Sequence, residues 1–187
     1  MEHRIALYQA DSRRRVLEHS PSGKVPALRD GTTTVWDSLA ILEYLAEKFP
    51  DHGLWPRDAA ARACARSVSA EMHSSFAALR TRMPMNLRNS YPGRGRTPEV
   101  EADIARVTAL WADCRTTFDG PFLFGPFCNA DAMFAPVATR FLTYGVTLPP
   151  VCQHYVDTLI ALPAMQLWYA GARAEREAID EYDRMYS

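Results

Sequence analysis

One continuous stretch of the chain, residues 22–50, constrains the fold more than any other. It reads SGKVPALRDGTTTVWDSLAILEYLAEKFP. The Asp30-Gly31 pair lies between two short β-prone runs, and such a pair suits a two-residue turn whose central residues both have positive φ. The apolar residues after it recur at a spacing of three and four. The stretch therefore predicts a β-hairpin followed directly by a helix.

The predicted turn also fixes which residues face each other across the hairpin. With the turn centred on that pair, Arg29 lies opposite Thr32 and Trp36 lies opposite Val25. Residues 37–38 then follow the second strand at the end of the hairpin where the first strand begins. The hairpin is therefore expected to bring a Val-Pro step beside the start of a helix.

This neighbourhood suits a small peptide-like anion. Pro26 donates no ladder hydrogen bond, so it belongs at an edge, a bulge or a cis turn, and we predict a cis Val25-Pro26 bond. Asp37 and Ser38 open the helix, whose first N–H groups have no partner within it and can bind a carboxylate. A ligand with an α-amino acid end fits here, with its carboxylate on Ser38 and its ammonium near Asp37. Taken singly, each motif also fits a plain helix cap or an ordinary proline turn.

The ordered combination of GKVPAL, DG and WDSLAILEYLAEKFP resembles the glutathione-binding half of the soluble glutathione transferases. The resemblance runs from about residue 4 to near the C-terminus. It implies an α/β thioredoxin-like N-terminal domain, here truncated, followed by an all-α helical C-terminal domain. The implied bounds are 1–50 for the N-terminal domain, 51–57 for a linker and 58–187 for the helical domain.

The resemblance also implies roles for individual residues. The backbone of Val25, before cis-Pro26, is expected to pair with the cysteinyl part of glutathione. Asp37 and Ser38 are expected to hold the γ-glutamyl end, and Lys24 to approach the glycyl carboxylate. Glutathione is thus the expected cosubstrate, and a small electrophile the expected second substrate. Conjugation and isomerisation are both open as the reaction.

The chain departs from the family at its start. Family members begin with a strand and a helix that carry a Ser, Tyr or Cys near the thiol, whereas Met1–Ala10 resembles the second strand and 13–19 a short helix. No residue matches the position that activates the thiol, so the catalytic residue is unassigned. A non-catalytic glutathione-binding or protein-interaction module is therefore the alternative to a transferase.

The remaining sequence predicts helices. Alanine-rich periodicity begins at Asp58 and continues through Leu79, with an interruption at Pro84. Further helices are predicted over 99–118, 130–143, 150–161 and 163–172. Cys128 stands where the family's helix-capping box has a hydroxyl residue. A thiol is a weak acceptor, so the lost cap is expected to cost about 1 kcal/mol unless Asn129 or Asp131 substitutes for it.

In the family, the first helices of the C-terminal domain form a wall of the acceptor pocket. The candidates there are side chains that adapt to apolar shapes or orient a polar group. They are Met72, His73, Phe76, Met85 and Asn86. Methionine and phenylalanine at helical spacing also fit an ordinary core, and His73 also fits a packed or surface histidine. Both interpretations stay open at this point.

Composition excludes several function classes. The 187 residues are 48% hydrophobic and carry a net charge of −1, which suits one globular domain or two small ones. An isolated Arg13–Arg15 triplet in so balanced a chain favours a solvated helix face over a nucleic-acid contact. No apolar run reaches the roughly 18 residues of a membrane span, and the N-terminus does not resemble a signal peptide. We therefore expect a cytoplasmic protein with no membrane or nucleic-acid partner.

The cysteines point to packing rather than chemistry. Cys64, Cys114, Cys128 and Cys152 lie far apart and form no CxxC pair, so neither a metal site nor a thioredoxin-type redox motif is predicted. They are expected to be reduced. The family resemblance implies, in addition, a homodimer.

Overall fold

The computed structural model describes residues 5, 9–177, 179, 182 and 184–186. It divides into two compact units, Met1–Leu54 and Trp55–Ser187. The boundary falls within the segment expected to be a linker, and the domain bounds themselves stay a prediction. Most of the expected second strand, Met1–Ala10, lies outside the described residues.

The described part of the first unit contains two strands and two α-helices. They are α1 (Ser12–Leu17), β1 (Ala27–Asp30), β2 (Thr33–Trp36) and α2 (Ser38–Lys48), and a short 3₁₀ turn (Pro50–His52) follows. The strands form the predicted antiparallel hairpin. Helix α1 begins and ends close to the expected bounds.

The register of the hairpin differs from the prediction by two residues. Ala27 pairs with Trp36, and Asp30 pairs with Thr33, so the turn is centred on Gly31 and Thr32. Gly31 has φ of 59°, and Thr32 is not in the positive-φ region. A two-residue turn with glycine alone at positive φ in its first central position needs no Asp-Gly centre. The expected Trp36–Val25 pairing was therefore wrong.

Helix α2 holds the turn end of the hairpin through Asp30. The Tyr44 hydroxyl donates to Asp30 Oδ2 over 2.7 Å, and the Lys48 ammonium forms an ion pair with the same oxygen. Asp30 thus belongs to β1 and anchors the helix. This tertiary contact helps to explain why Asp30 lies outside the centre of the turn.

In its described residues, the second unit consists of helices and their connections. Its helices are α3 (Ala59–Ser74), α4 (Ala77–Arg82), α5 (Pro98–Thr117), α6 (Asn129–Thr143), α7 (Pro150–Ile160) and α8 (Pro163–Ala174). The bounds of α5 to α8 lie within two residues of those predicted. No described helix is long and apolar enough to cross a membrane.

The core of the helical unit is built around Trp111 of α5, which is completely buried. Its ring lies 5.8 Å and 5.3 Å from the rings of Phe134 and Phe141 on α6, and 5.0 Å from Tyr155 on α7. Aromatic pairs in this range add to the stabilisation from burial alone. One tryptophan therefore joins three helices.

The first helical run breaks earlier than predicted. The helix ends at Ser74 rather than near Pro84, and Phe76 adopts a left-handed conformation with φ of 60° and ψ of 40° while its side chain is buried. The new helix α4 has no side-chain cap of its own. Asp103 of α5 supplies one, because its Oδ2 accepts the Leu79 N–H over 2.9 Å.

Helix α6 begins with a capping box that pairs Cys128 with Asp131. Asp131 is completely buried, and its Oδ2 accepts the Cys128 N–H over 2.8 Å. Its Oδ1 accepts the Leu123 N–H over 3.1 Å, which ties the preceding segment to the helix start. Burial raises the pKa of Asp131, against the lowering effect of these backbone hydrogen bonds. Asp131 therefore supplies the N3 half of a capping box, and the Cys128 side chain supplies the other half by accepting the Asp131 N–H.

Candidate functional site

The hairpin brings the Val-Pro step and the start of α2 to the same end of the first unit. Because Ala27 pairs with Trp36, Pro26 and Asp37 both lie just beyond the last pair of the ladder. The Val25-Pro26 bond is cis, as predicted. The Val25 side chain is 52% exposed, and Lys24 and Pro26 are exposed as well. This end of the hairpin is open to a ligand.

Asp37 has an unusual backbone conformation, with φ of 76° and ψ of 131°. Residues other than glycine rarely adopt positive φ, and such positions concentrate at ligand-binding sites and tight caps. The Asp37 Oδ1 accepts the Leu39 N–H over 2.9 Å. Asp37 is exposed and Ser38, the first residue of α2, is half-buried. The conformation of Asp37 thus sets the direction in which the chain enters the helix.

The segment before the proline is held by serines. The Lys24 N–H donates to Ser22 Oγ over 3.2 Å, and Ser22 Oγ lies 3.0 Å from Ser20 Oγ. Ser20 is buried, whereas Lys24 is exposed. The backbone of Lys24 is therefore tied to the unit while its ammonium projects from it.

The candidates for the acceptor pocket have different environments. Met72 and Phe76 are buried, with 6% and 5% exposure, so they contribute to packing in this structure. His73 is exposed and its carbonyl accepts Arg80 Nη1 over 3.1 Å. Met85 is 39% exposed, and Asn86 is half-buried. An acceptor pocket formed by these five residues stays a prediction.

Two side chains of α6 and one just after it hold the carbonyls of the segment that contains Met85 and Asn86. Arg140 Nε donates to Met83 O over 2.9 Å, and the Tyr144 hydroxyl, just after the helix, donates to Pro84 O over 3.0 Å. Thr143 Oγ1 donates to Asn86 O over 2.7 Å. Burial, with the nearby Arg80 charge, lowers the pKa of Arg140 to about 10. We call Arg140, Thr143 and Tyr144 the carbonyl clamp. The sequence alone does not show which carbonyl groups these three side chains contact.

A cleft of about 310 Å³ lies in the helical unit next to the clamp. Its walls come from residues 87–90, the C-terminal ends of α6 and α7, and α8. The charged residues that line it are Arg88 and Arg173. Sequence reasoning missed this cleft, because its residues come from four separate parts of the chain.

The structure agrees with a packing role for most of the cysteines. All four are free thiols, and Cys114, Cys128 and Cys152 are buried. Burial raises the pKa of Cys114 and of Cys128 to about 12, which makes their thiolates scarce at neutral pH. Within the described residues, no group of three or more His, Cys, Asp or Glu side chains could hold a metal ion.

Comparison with known proteins identifies the first unit. Residues 1–48 match the family described as glutathione S-transferase, N-terminal domain. The chain is 52% identical over 42 residues to a zeta class glutathione S-transferase of Euphorbia esula, and 33% identical over 85 residues to a probable maleylacetoacetate isomerase of Caenorhabditis elegans. These alignments cover 22% and 46% of this chain. They span only 19% and 40% of the relatives' own lengths.

Longer similarities extend through the helical unit. A maleylacetoacetate isomerase of Rattus norvegicus is 28% identical over 151 residues, which cover 79% of this chain and 68% of the rat protein. A glutathione transferase homologue from a Burkholderia strain, solved with bound glutathione, superposes with a TM-score of 0.65 at 25% identity, covering 89% of this chain and 80% of that one. The family match, the hairpin followed by α2 and the helical second unit lead to one assignment. The first unit matches the glutathione S-transferase N-terminal domain family, and the chain has the glutathione transferase architecture, a thioredoxin-like N-terminal unit followed by a helical C-terminal unit.

Proposed function

We propose that this protein binds glutathione at the open end of its hairpin. The observation that carries the proposal is the juxtaposition of an exposed Val25 with the N-terminus of α2 at Ser38, within the segment that matches the family. Backbone groups beside Val25 are available to pair with an extended peptide. The first N–H groups of α2 and the Ser38 hydroxyl suit a carboxylate.

The other contacts follow from the chemistry of glutathione. Asp37 supplies a negative charge for the γ-glutamyl ammonium, while Lys24 supplies a positive one for the glycyl carboxylate. Pro26 shapes the chain between them. Solved relatives from Burkholderia and from Xanthomonas axonopodis contain bound glutathione, which supports the same ligand for this chain.

We further propose that the thiol of glutathione attacks, or adds reversibly to, a small electrophilic substrate. Isomerase relatives support reversible addition as strongly as conjugation. Of the candidate acceptor contacts, His73 and Met85 are exposed, and Asn86, which lies on the clamped segment with Met85, is half-buried. The homodimer remains a prediction from the family likeness, and the cytoplasmic location remains a prediction from the composition and the N-terminal sequence.

Calorimetry with glutathione tests the binding site. Ser38→Ala should weaken binding by about 0.5–1.5 kcal/mol, the net value of a neutral hydrogen bond, and by more where the carboxylate is its partner. The matched control is Ser67→Ala on α3, an exposed serine whose hydroxyl donates to Ala63 O within its own helix. Equal affinities for the wild type and a Ser38→Ala, Asp37→Ala double variant would remove this site from consideration.

Turnover of a chloronitroaromatic acceptor, measured on the same preparation, separates the two candidate functions. Binding with turnover supports the transferase. Binding without turnover supports the alternative, a non-catalytic glutathione-binding or protein-interaction module. Recognition of the peptide ends and activation of the thiol are separate tasks, so the two measurements are independent.

A further inference from the structure

The cleft beside the carbonyl clamp has the size and mixed lining of a small-molecule site. Its volume of about 310 Å³ is at the lower end of the range for ligand pockets, roughly 300–1,000 Å³. Leu87, Leu142 and Ile160 contribute apolar surface. Gln166 and Tyr169 of α8 contribute polar groups beside them. Such a lining suits a molecule with an apolar body and a polar end.

The charged side chains among the described lining residues of the cleft are both basic. Arg88 and Arg173 both line it, and no Asp or Glu occurs among its described lining residues. Arg88 Nη1 donates to the backbone carbonyl of Glu175 over 3.1 Å, which positions that guanidinium at the cleft. The Arg173 guanidinium lies 5.9 Å from the centre of the Tyr169 ring. Guanidinium groups match the planar geometry of a carboxylate and hold it with paired hydrogen bonds.

The walls of the cleft are fixed in advance. Asn86 Oδ1 accepts the N–H groups of Arg88 and Asn89 over 2.9 Å and 3.0 Å, and the clamp holds the Asn86 carbonyl. On the opposite wall, Gln166 Nε2 donates to Ile160 O over 2.7 Å. A ligand therefore meets a preformed site and does not have to order a loop.

We propose that this cleft binds a small organic anion, with its carboxylate on Arg173 beside Arg88 and its apolar body against Leu87, Leu142 and Ile160. The site goes beyond the proposed glutathione function, because it lies within the helical unit and requires none of the hairpin residues. A neutral ligand of the same shape uses the apolar surface but forms only neutral hydrogen bonds, which are about half as strong as charge-assisted ones.

The test compares phenylacetate with phenylacetamide, which differ only in the charged end. Binding to the full chain is followed by NMR titration without glutathione. We expect the acid to bind about 5-fold more tightly than the amide, the ratio given by one charge-assisted hydrogen bond in place of a neutral one. Arg173→Gln should abolish this preference. Arg173 is exposed at the C-terminal end of α8, so its replacement is not expected to affect folding.

The matched control is Arg57→Gln, which removes the same charge from an exposed residue that does not line the cleft. It should keep the preference for the acid. Equal binding of acid and amide to the wild-type protein would overturn the proposal, and so would equal losses in the two variants. Glutathione affinity of Arg173→Gln, measured separately, should equal that of the wild type, so failure of this site and failure of the glutathione site are distinguishable.

Discussion

Replacement of Asp131 should be the most damaging single polar substitution in the described part of the helical unit. The carboxylate is completely buried and accepts two backbone N–H groups, from Leu123 and Cys128. A buried donor left without a partner costs about 1–3 kcal/mol. Asp131→Ala orphans both donors and should lower the free energy of unfolding by about 2–6 kcal/mol, a large part of the roughly 5–15 kcal/mol available to a typical protein.

Asp131→Asn removes only one of the two hydrogen bonds that the carboxylate accepts. The amide keeps one acceptor oxygen, so one N–H group remains satisfied, and the expected loss is about 1–3 kcal/mol. Urea unfolding followed by circular dichroism measures both variants. Asp113→Asn, which changes an exposed carboxylate on α5, is the control and should stay within about 0.5 kcal/mol of the wild type. Equal, small losses for all three variants would refute the capping argument.

The pH dependence of the same variant tests the electrostatics of Asp131. Burial raises its pKa in the folded protein above the ordinary value of about 3.9. The folded state therefore binds more protons than the unfolded state between these two values. The resulting stabilisation is fully present below about pH 3.9 and is lost as pH rises through the folded pKa. The stability difference between the wild type and Asp131→Asn should accordingly shrink with rising pH across this window, and a difference that grows would show that the hydrogen bonds outweigh burial.

Three further substitutions or reactions test the packing of the helical unit. Gly95→Ala should destabilise by more than Gly93→Ala in urea unfolding: both glycines have positive φ, but only at Gly95 would a Cβ lie 2.4 Å from the Arg82 carbonyl oxygen. Equal losses would mean that backbone strain alone matters. A thiol reagent such as dithionitrobenzoate, used at mildly alkaline pH, should react quickly with Cys64 and slowly with the three buried cysteines. Burial raises the pKa of two of these, Cys114 and Cys128, to about 12. Rapid reaction of all four thiols would contradict that burial. Asp103→Ala should cost about 0.5–2 kcal/mol, the usual value of a helix cap, whereas no measurable loss in thermal unfolding would show that α4 does not depend on it.

Local signals in the sequence were enough to predict most of the helices. Pro98, Pro150 and Pro163 stand at first helical positions, where a proline costs nothing, and apolar periodicity specifies the rest. The hairpin was predicted for a similar reason, because Gly31 is the natural residue for its turn. The register of the hairpin was not predicted correctly, because a hydrogen bond from Tyr44, 14 residues further along the chain, holds Asp30 in the strand.

The break at Phe76 shows where local reasoning stops. Nothing in the sequence around it ends a helix, and a phenylalanine at positive φ runs against its own backbone preference. The conformation is compatible with burial of the ring and with a cap from Asp103, which lies 24 residues further along the chain than the N–H group it accepts. Met72 is a similar case, because its helical spacing is compatible both with a pocket contact and with a core residue. Only the three-dimensional packing shows that its side chain is buried.

The two candidate sites differ in how well the sequence predicts them. The Val25–Ser38 neighbourhood needs only one hairpin, so a single turn brings its residues together even when the register is misjudged by two. The cleft around Arg173 needs four separate segments, and its near wall exists because the carbonyl clamp fixes the backbone at Met83 and Asn86. The clamp donors lie on or just after α6, the helix whose start depends on the buried Asp131. Loss of that cap should therefore loosen the cleft, while the hairpin, which belongs to the other unit and shares no residue with α6, depends on its own contacts with α2.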